Sequence, residues 1–389
     1  MMKKVIAFVG LFLLLLCACA EETEVSATDI TEYCRFSSSD NMRMREVHDM
    51  KIMTFYTAVN SEQTIFIALP DRWEASALTL DLYAPSDSIC VRQYDREDEL
   101  LSEVVEADSA DYRINRFYTV DASASKVGIT VSAGTRVSEI HVYSVGTLPG
   151  DVQNWQLSEK ADIMLISTHQ DDEELWFGGL LPYYGVEREK STQVVYMADC
   201  GRIRYGEALS GLWAMGLKQY PEFIGLKDFS GTYEQSLREW GGSDEIIGCM
   251  VEVIRKYRPE VIVTHDWDGE YGHNQHIITA RHIEQAVVAA ADKEMYPESA
   301  DRYGVWQTKK LYLHLSGTRS ITMDWDTPCE KLGGLTPYQV AEIGFSKHRS
   351  QFSKYNMEKG RRYKNNEFGL VYTVVGDDVM KNDLLENIP

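Results

Sequence analysis

The hydrophobic residues of this chain follow two different periods, which divide it near residue 150. In the first part apolar and polar positions alternate, as in QTIFIAL (63–69) and SALTLDLYA (76–84), with Asp, Ser, Gly and Pro between the segments. A period of two with regular turn signals is typical of antiparallel strands. We therefore predict a smaller β-sandwich-like domain over residues 33–148, with packing as its main role.

The second part of the chain has near-continuous apolar runs in place of the alternation. ADIMLIST (161–168), TQVVYMA (192–198) and PEVIVTH (259–265) have the form of parallel strands that are buried on both faces. Segments between them, such as DEIIGCMVEVIRKY (244–257), have helical spacing. The pattern predicts an α/β domain with a parallel sheet over residues 149–389. Ligands of such sheets bind beyond the carboxyl ends of the strands.

The first residues, MMKKVIAFVGLFLLLLCACA, combine two lysines, an apolar run and small residues around two cysteines. This order is that of an export signal, and the run is too short to span a bilayer comfortably. LCAC resembles the lipobox of bacterial lipoproteins, and Cys19, which follows Ala18, fits the lipidated position best. An ordinary cleaved signal peptide is the alternative. We expect a lipoprotein signal at 1–18 and a polar tether at 19–32.

A lipoprotein anchor carries more than one acyl chain, which is what stable membrane attachment requires. We therefore expect an extracytoplasmic, membrane-anchored protein, at the cell surface or on the periplasmic face. Five further cysteines follow, an odd number without metal-like spacing, so at least one thiol stays free: Cys34, Cys90, Cys200, Cys249 and Cys329. The formal charge of −21 repels polyanions, and we expect no nucleic-acid partner.

One polar cluster follows the first predicted parallel strand. STHQDDEELWFGG (167–179) places a histidine before four consecutive carboxylates. Taken alone, this stretch favours a helix N-terminus, where acidic side chains offset the partial positive charge. His169 and Asp172, however, are three residues apart, so both side chains can reach one point. A metal site is the sharper hypothesis, and it needs support from another part of the chain.

A second polar cluster supplies that support. VIVTHDWDGEYGHNQH (261–276) ends another predicted strand, and His273 and His276 share a face of a helical turn. His169, Asp172 and His276 together give two imidazoles and one carboxylate, the ligand number of a catalytic zinc site with open positions. A neighbouring carboxylate is then needed to take a proton from water. Asp171 is the candidate, because it adjoins a ligand but projects differently.

The two clusters together resemble a known family. THQDDE with the later GEYGHNQH is similar to the signature of the LmbE/PIG-L family of zinc-dependent de-N-acetylases, His-x-Asp-Asp-Glu followed by His-x-x-His. The resemblance covers about residues 160–355 and implies a Rossmann-like parallel sheet with helices on both faces. Gln170 stands where proline is usual, and Asn274 and Gln275 replace the common Pro-Asp.

The resemblance implies a role for several residues. His169, Asp172 and His276 correspond to the metal ligands, and Asp171 corresponds to the general base. His273 matches the histidine that stabilises the oxyanion or protonates the leaving amine, and Tyr271 matches a tyrosine near the substrate carbonyl. Arg204 and Glu207 match an Arg-x-x-Glu helix that contacts substrate or braces the site. His348 and Gln351 match a late segment of uncertain role.

The other histidines and acids have plainer interpretations. His265 either hydrogen-bonds its loop or orients a ligand. Glu173 and Glu174 are either helix-start charges or, for Glu173, a group that orients a ligand. The remaining histidines have no motif around them and are expected at the surface or as satisfied core residues: His48, His141, His282 and His314.

The resemblance, together with these residues and the export signal, implies a zinc-dependent hydrolase that removes the N-acetyl group from an N-acetylglucosamine-type sugar or glycoconjugate outside the cytoplasm. One alternative is a lipid-anchored carbohydrate-binding protein with an inactive hydrolase domain, against which the retained Asp171 argues. A less favoured alternative is a non-haem iron oxygenase, because two histidines and one carboxylate also form that metal site. The natural substrate, the acyl group and the oligomeric state are not determined by the sequence.

Overall fold

The computed structural model describes residues 25–84, 86–107, 113–357 and 362–389. Cys19 and the predicted signal at 1–18 lie outside the described residues. Within the described part of the chain, no helix is both long and apolar enough to cross a bilayer. The five cysteines of this part are free thiols.

The first half of the described chain forms two antiparallel sheets. Their strands are β1 (Arg35–Ser38), β2 (Tyr56–Thr57), β3 (Gln63–Ala68), β4 (Ala75–Leu82), β5 (Ile89–Tyr94), β6 (Leu100–Glu106), β7 (Asn115–Thr119), β8 (Lys126–Val131) and β9 (Arg136–Ser144). One sheet has the order β1-β3-β8-β5-β6, and the other has the order β2-β9-β4-β7. The predicted all-β region is therefore confirmed.

The alternation of the sequence places one apolar core between these two sheets. Ile65 on β3 and Leu78 and Leu80 on β4 are fully buried in this core. The polar residues between them project from the opposite faces, as the period of two requires. Residues 25–32, part of the predicted tether, pack on the same region: Ile30 is fully buried and its N–H donates to Val142 O.

The second half of the chain forms one seven-stranded sheet among the described residues. Its strands are β10 (Ile163–Ser167), β11 (Thr192–Asp199), β12 (Glu222–Lys227), β13 (Val261–Thr264), β14 (Lys310–His314), β15 (Ser320–Thr322) and β16 (Glu367–Thr373). The order is β12-β11-β10-β13-β14-β16-β15. The strands β10 to β14 are parallel, whereas β16 runs antiparallel to β14 and β15.

The predicted parallel sheet is therefore confirmed only in part, because the sheet is mixed. The sequence pattern identified the central strands, which are apolar on both faces, but not the late strand β16 (Glu367–Thr373). An antiparallel strand at the edge of a parallel sheet is a common arrangement, since it pairs an edge without needing a crossover helix. Here β16 pairs with β14, the last of the parallel strands, and β15 lies beyond β16 at the edge of the sheet.

Helices cover both faces of this sheet. They are α1 (Asp172–Leu175), α2 (Arg202–Ala214), α3 (Tyr233–Glu239), α4 (Ser243–Tyr257), α5 (Gly269–Gly272), α6 (Asn274–Ala290), α7 (Pro297–Tyr303) and α8 (Pro337–Phe345). From β10, Leu165 packs into a core with Leu212 of α2, while Ile166 packs into a second core with Ile254 of α4. The carboxyl ends of β10 and β13 therefore lie side by side between two helical layers.

Candidate metal centre

The two polar clusters of the sequence meet at the carboxyl ends of β10 and β13. These strands are parallel neighbours, with Ile163 opposite Val261 and Leu165 opposite Val263. The segment after β10 carries His169 to Asp172, and the segment after β13 leads to His276 in the first turn of α6. Parallel pairing thus brings together residues that are 107 positions apart.

Three side-chain atoms converge on one point at this edge. Nδ1 of His169 lies 3.1 Å from both Oδ2 of Asp172 and Nε2 of His276. Oδ2 of Asp172 lies 3.2 Å from Nε2 of His276. All three residues are buried, with at most 8% of each residue exposed. The predicted trio is therefore assembled in space.

The spacing of these atoms fits a tetrahedral metal ion. Ligand atoms that lie about 2.0 to 2.1 Å from such an ion are roughly 3.3 to 3.4 Å from one another. The hydrogen bonds of the two histidines also leave one ring nitrogen of each free to bind a metal. His169 Nε2 lies 3.0 Å from Oε1 of Gln275, whose amide nitrogen donates to Lys227 O, so Nε2 of His169 is a donor and Nδ1 is free to bind a metal.

Glu270 fixes the other imidazole in the same way. Its Oε2 lies 2.7 Å from Nδ1 of His276, which leaves Nε2 of His276 free to bind a metal. A carboxylate behind a metal-binding histidine raises the basicity of that ligand and fixes its orientation. Glu270 also accepts from the ring nitrogens of His265 and His314 and from the Asp266 N–H. It is therefore shared by three histidines.

His265 lies close to the trio but is not available as a ligand. Its Nε2 accepts the N–H of Thr168 at 2.9 Å, and its Nδ1 faces Glu270. Although Nε2 of His265 is 3.6 Å from Oδ2 of Asp172, its lone pair is already used. His265 therefore holds the backbone next to His169 through Thr168 and also contacts Glu270, the carboxylate behind His276.

The electrostatic field of this cluster favours a cation. Burial alone would lower the pKa of His276, but Asp172 and Glu270 raise it to about 10. Burial would likewise raise the pKa of Asp172, but His276 and His169 hold it well below the ordinary value. Two ionised carboxylates on either side of one imidazole therefore stabilise positive charge here, whether a proton or a metal ion carries it.

Asp171 belongs to a separate part of the site. Its Oδ1 lies 2.7 Å from Nη2 of Arg204, and its N–H donates to Glu173. Burial, and then the charge of Asp172, raises the pKa of Asp171 to about 7. The backbone of Asp171 has φ of 150°, and Glu270 has φ of 55°. Both are unusual for residues with a side chain, and strained backbone of this kind clusters at functional sites.

His273 and Tyr271 lie on the open side of the trio. The rings of His273 and His169 are 4.7 Å apart, and the rings of Tyr271 and Trp176 are 5.7 Å apart. Nδ1 of His273 has no hydrogen-bond partner among the described residues. Burial, and then the charges of His276 and His169, lower the pKa of His273 to about 3. Half of Tyr271 is exposed, so this residue lies at the rim of the site.

Arg204 and Glu207, the pair from the predicted helix, have different partners. Arg204 donates to the backbone carbonyl of Gln170 as well as to Asp171, so it braces the loop after β10. Glu207 accepts from both the N–H and the hydroxyl of Ser350, at 2.8 and 2.6 Å. Within the described residues Glu207 thus holds the late HRSQF segment and makes no contact with the trio.

Behind Asp171 lies a buried group of ionisable residues. Glu173 accepts from Tyr196, and His348 Nε2 lies 3.5 Å from Glu173 and 3.4 Å from Glu174. Burial, and then the charge of Glu173, raise the pKa of Glu174 to about 8. Burial opposes a charged His348, but Glu174 and Glu173 raise its pKa well above the ordinary value. Glu173 and Glu174 are therefore not exposed helix-start charges.

The site residues that the sequence does not predict lie mainly behind the trio, in the hydrogen-bond network that holds it. Glu270 lies within the segment 261–276 without a predicted role, and His314 is predicted to be a surface or core residue. Both side chains are fully buried, and His314 Nδ1 lies 3.0 Å from Glu270. His314 ends β14, the strand next to β13, so the apolar run KLYLH before it was the available signal.

A comparison with known proteins agrees with this geometry. Residues 164–287, which include the trio, match the family profile described as PIG-L: GlcNAc-PI de-N-acetylase. The chain contains a PIG-L domain. The resemblance inferred from the two motifs is thereby confirmed, and the PIG-L domain contains His169, Asp172 and His276.

The relatives of the PIG-L domain include named enzymes. A 1D-myo-inositol 2-acetamido-2-deoxy-alpha-D-glucopyranoside deacetylase of Mycolicibacterium smegmatis is 28% identical over 192 residues, 42% of this chain and 62% of that protein. The enzyme of the same name from Rhodococcus opacus is 31% identical over 180 residues, 39% of this chain and 60% of that protein. The chain therefore spans about 60% of the length of these curated relatives.

Among solved structures, the N,N'-diacetylchitobiose deacetylase of Pyrococcus horikoshii is similar to this chain with a TM-score of 0.39 and 18% identity. The match covers 49% of this chain and 71% of that chain.

Proposed function

We propose that this protein is a zinc-dependent de-N-acetylase that acts on an N-acetylglucosamine-type sugar or glycoconjugate. The observation that carries the proposal is the pairing of a three-atom ligand set with a separate buried carboxylate. His169, Asp172 and His276 present donor atoms 3.1 to 3.2 Å apart, and Asp171 lies beside them with its own partner, Arg204. The names of the relatives, which are deacetylases of acetamido sugars, support this choice of substrate.

Zinc is the metal that fits these ligands best. Two neutral imidazoles and one carboxylate are common zinc ligands, and three protein ligands leave a position for water or substrate. When bound at such a site, zinc lowers the pKa of water to about 7 and polarises a carbonyl group. The chain would supply His169 Nδ1, Asp172 Oδ2 and His276 Nε2, with Gln275 and Glu270 fixing the two rings.

Asp171 acts as the general base in this proposal. It adjoins a ligand in sequence, so a water at the open side of the trio comes within reach of its carboxylate. Arg204 holds Oδ1 of Asp171 and keeps the carboxylate from turning into the trio. Asp171 takes the proton of the attacking water, and the water oxygen forms a bond to the acetamide carbon. The same carboxylate can then return the proton to the leaving nitrogen.

His273 and Tyr271 act on the other side of the acetamide. Both lie on the open side of the trio, where the carbonyl oxygen becomes negatively charged as the tetrahedral intermediate forms. An N–H of His273 and the hydroxyl of Tyr271 stabilise that charge by donating hydrogen bonds. Because its pKa is lowered to about 3, His273 stays neutral, so the proton for the leaving nitrogen comes from Asp171. The products are acetate and a free amino sugar.

We also propose that the protein works outside the cytoplasm, held to the membrane by lipid on Cys19. The support is the sequence alone: an export signal, a small residue before Cys19 and a polar segment after it. A surface-exposed enzyme of this kind would meet glycoconjugates outside the cytoplasm.

The test is an assay of the zinc-loaded full-length protein on two acetamido sugars. N-acetylglucosaminyl-inositol and N,N'-diacetylchitobiose serve as probes, and acetate and free amine are both measured. We expect equal amounts of acetate and amine, without oxygen consumption, and a rate at least about 100-fold lower for Asp171→Asn. If neither product forms on either sugar while zinc is bound, the proposal is wrong.

A further inference from the structure

A second cavity lies between the four-stranded sheet and helix α2. Its volume is about 710 Å³, within the range of about 300 to 1,000 Å³ that is common for small-molecule sites. The β region contributes Thr79, Asp81, Asn115 and Tyr143, and the PIG-L side contributes Arg202 and Trp213 among others. We call this cavity the interdomain cleft. None of the three trio residues, nor Asp171, lines it.

The wall on the side of the β region is the outer face of a regular sheet. Leu78 and Leu80 of β4 point into the apolar core, so Thr79 and Asp81 point the other way, into the interdomain cleft. On the neighbouring strand β9, His141 lies opposite Thr79 and Tyr143 lies opposite Ala77, and both side chains also line the interdomain cleft. Packing alone would favour apolar residues at this contact, but the chain places polar ones there.

Two buried polar side chains line the interdomain cleft, Arg202 on α2 and Asn115 on β7, and one of them has an atom without a hydrogen-bond partner in the described part of the chain. The Arg202 side chain is only 6% exposed, and its guanidinium donates to Leu82 O and lies 3.9 Å from Asp81. Asn115 is 8% exposed; its amide nitrogen donates to Asp81, whereas its Oδ1 has no hydrogen-bond partner among the described residues. Buried polar atoms are normally paired, so Oδ1 of Asn115 points to a ligand that donates a hydrogen bond, and the guanidinium of Arg202 is a donor that the same ligand can accept from.

The interdomain cleft and the metal centre lie on different sides of the same helix. Arg204 of α2 binds Asp171 and Gln170 O, while Arg202, two residues earlier, binds Leu82 O in the β region. Glu207 lines the cleft and also holds Ser350, two residues after His348. A ligand in the cleft would therefore contact α2 without touching the metal ligands.

The chemistry of the lining indicates a neutral, hydroxyl-rich ligand. Carboxylates and cations are balanced around the cleft, the carboxylates being Asp81, Asp151 and Glu207 and the cations Arg202, Lys347 and Arg349. Such a lining offers many donors and acceptors but no strong net charge for an ion. Tyr143 and Trp213 add aromatic surface, against which the C–H face of a sugar ring can pack.

We propose that the interdomain cleft is a second, non-catalytic binding site for a neutral oligosaccharide. The choice of a sugar rests on the proposed function, whereas the cleft and the unpartnered Oδ1 of Asn115 do not. Sugar bound there would hold a polymeric or multi-sugar substrate beside the PIG-L domain.

The experiment is a titration of the zinc-loaded Asp171→Asn protein with N-acetylchitotetraose by calorimetry. We expect binding that persists after zinc is removed by a chelator, because the metal ligands do not line the cleft. Arg202→Met and Asn115→Leu should each raise Kd at least tenfold. Arg302→Met, an exposed change on α7, is the matched control and should leave Kd unchanged. Zinc content and melting temperature are measured for every variant.

The outcomes separate this proposal from the proposed function. If no binding occurs although the wild-type protein releases amine, the cleft proposal is wrong and the enzymatic proposal stands. Binding that is lost when zinc is removed, and whose Kd is unchanged in the cleft variants, also overturns the cleft proposal. Binding that depends on the cleft without any amine release supports the second site and contradicts the enzyme. If Arg202→Met does not fold, Tyr143→Ala replaces it, with the same expected loss of binding.

Discussion

Asp171 and Asp172 are consecutive, yet their carboxylates have different partners. Oδ2 of Asp172 lies 3.1 Å from Nδ1 of His169, whereas Oδ1 of Asp171 lies 2.7 Å from Nη2 of Arg204. The unusual backbone of Asp171, with φ of 150°, accompanies this divergence. Neighbouring carboxylates can therefore serve two purposes, metal binding and proton transfer.

This relationship predicts different results for the two single substitutions. Asp172→Ala removes a ligand, so zinc and activity should be lost together. Asp171→Asn keeps the shape of the side chain and should keep zinc near full occupancy, while kcat falls by about 100-fold or more because no base remains. Zinc is measured by atomic absorption and kcat by amine release. Equal zinc in both variants with near-normal turnover would contradict the site assignment.

Glu270 should control the affinity for zinc although it is not one of the three candidate ligands. An amide in Glu270→Gln cannot accept hydrogen bonds from His265, His276 and His314 together, so the ring of His276 loses its fixed orientation. We expect zinc affinity to fall by about 10- to 100-fold. Competition with a chelator measures this affinity, and Glu298→Gln on α7, an exposed change, is the control. Wild-type affinity in Glu270→Gln would show that the contact does not tune the metal.

Arg204 should affect turnover more than metal binding. Arg204→Met removes the partner of Asp171 and the donor to Gln170 O, but no contact of the trio. We therefore expect kcat to fall by about 10- to 100-fold, the range for partners of catalytic groups, while zinc content stays constant. A change in KM alone would instead indicate that Arg204 mainly contacts substrate.

These contacts show which parts of the site the sequence could predict. His169 and Asp172 are three residues apart, and His276 follows a second strand of the same type, so local spacing and the parallel-sheet rule were enough to bring them together. His314 and Glu270 are 44 residues apart and meet only because β13 and β14 are neighbours. The predicted strands do not include β14, so the sequence does not predict this contact.

The strand β16 and the interdomain cleft also depend on tertiary contacts that local sequence patterns do not reveal. The central parallel strands are apolar on both faces and were visible as continuous runs, but the antiparallel direction of β16 depends on how a long connection returns to the sheet. The interdomain cleft depends on the docking of the β region against α2, for which no local pattern exists. Its polar wall was nonetheless present in the alternation of SALTLDLYA, because every second residue of β4 faces away from the core.

The proposed lipid anchor predicts a simple fractionation result. Cys19→Ser should release the protein from the membrane or block its maturation, because the thiol that carries the lipid is gone. Cys17→Ser is the matched control and should leave attachment unchanged, since Leu16 before Cys17 fits the lipobox less well than Ala18 before Cys19. Membrane fractionation and labelling with a radioactive fatty acid measure both. Labelling that survives in Cys19→Ser would exclude this anchor.

The buried group behind Asp171 predicts an unusual effect of a glycine substitution. Gly211 lies in α2, where replacing glycine with alanine ordinarily stabilises a helix by about 0.5 to 1 kcal/mol. A Cβ atom at Gly211 would lie 2.9 Å from Nε2 of His348 and 3.1 Å from Oε1 of Glu174. Both side chains are fully buried, so the extra methyl group would have to displace them.

We therefore expect Gly211→Ala to lower the free energy of unfolding by about 1 to 3 kcal/mol, the usual cost of overpacking, and to lower kcat by shifting Glu173 and Asp171. Gly317→Ala is the control, because a Cβ there has no atom within 4 Å, and it should change stability by less than about 0.5 kcal/mol. Urea denaturation followed by tryptophan fluorescence measures both variants. An increase in stability for Gly211→Ala, as for an ordinary helical glycine, would show that Glu174 and His348 do not lie against this turn of α2.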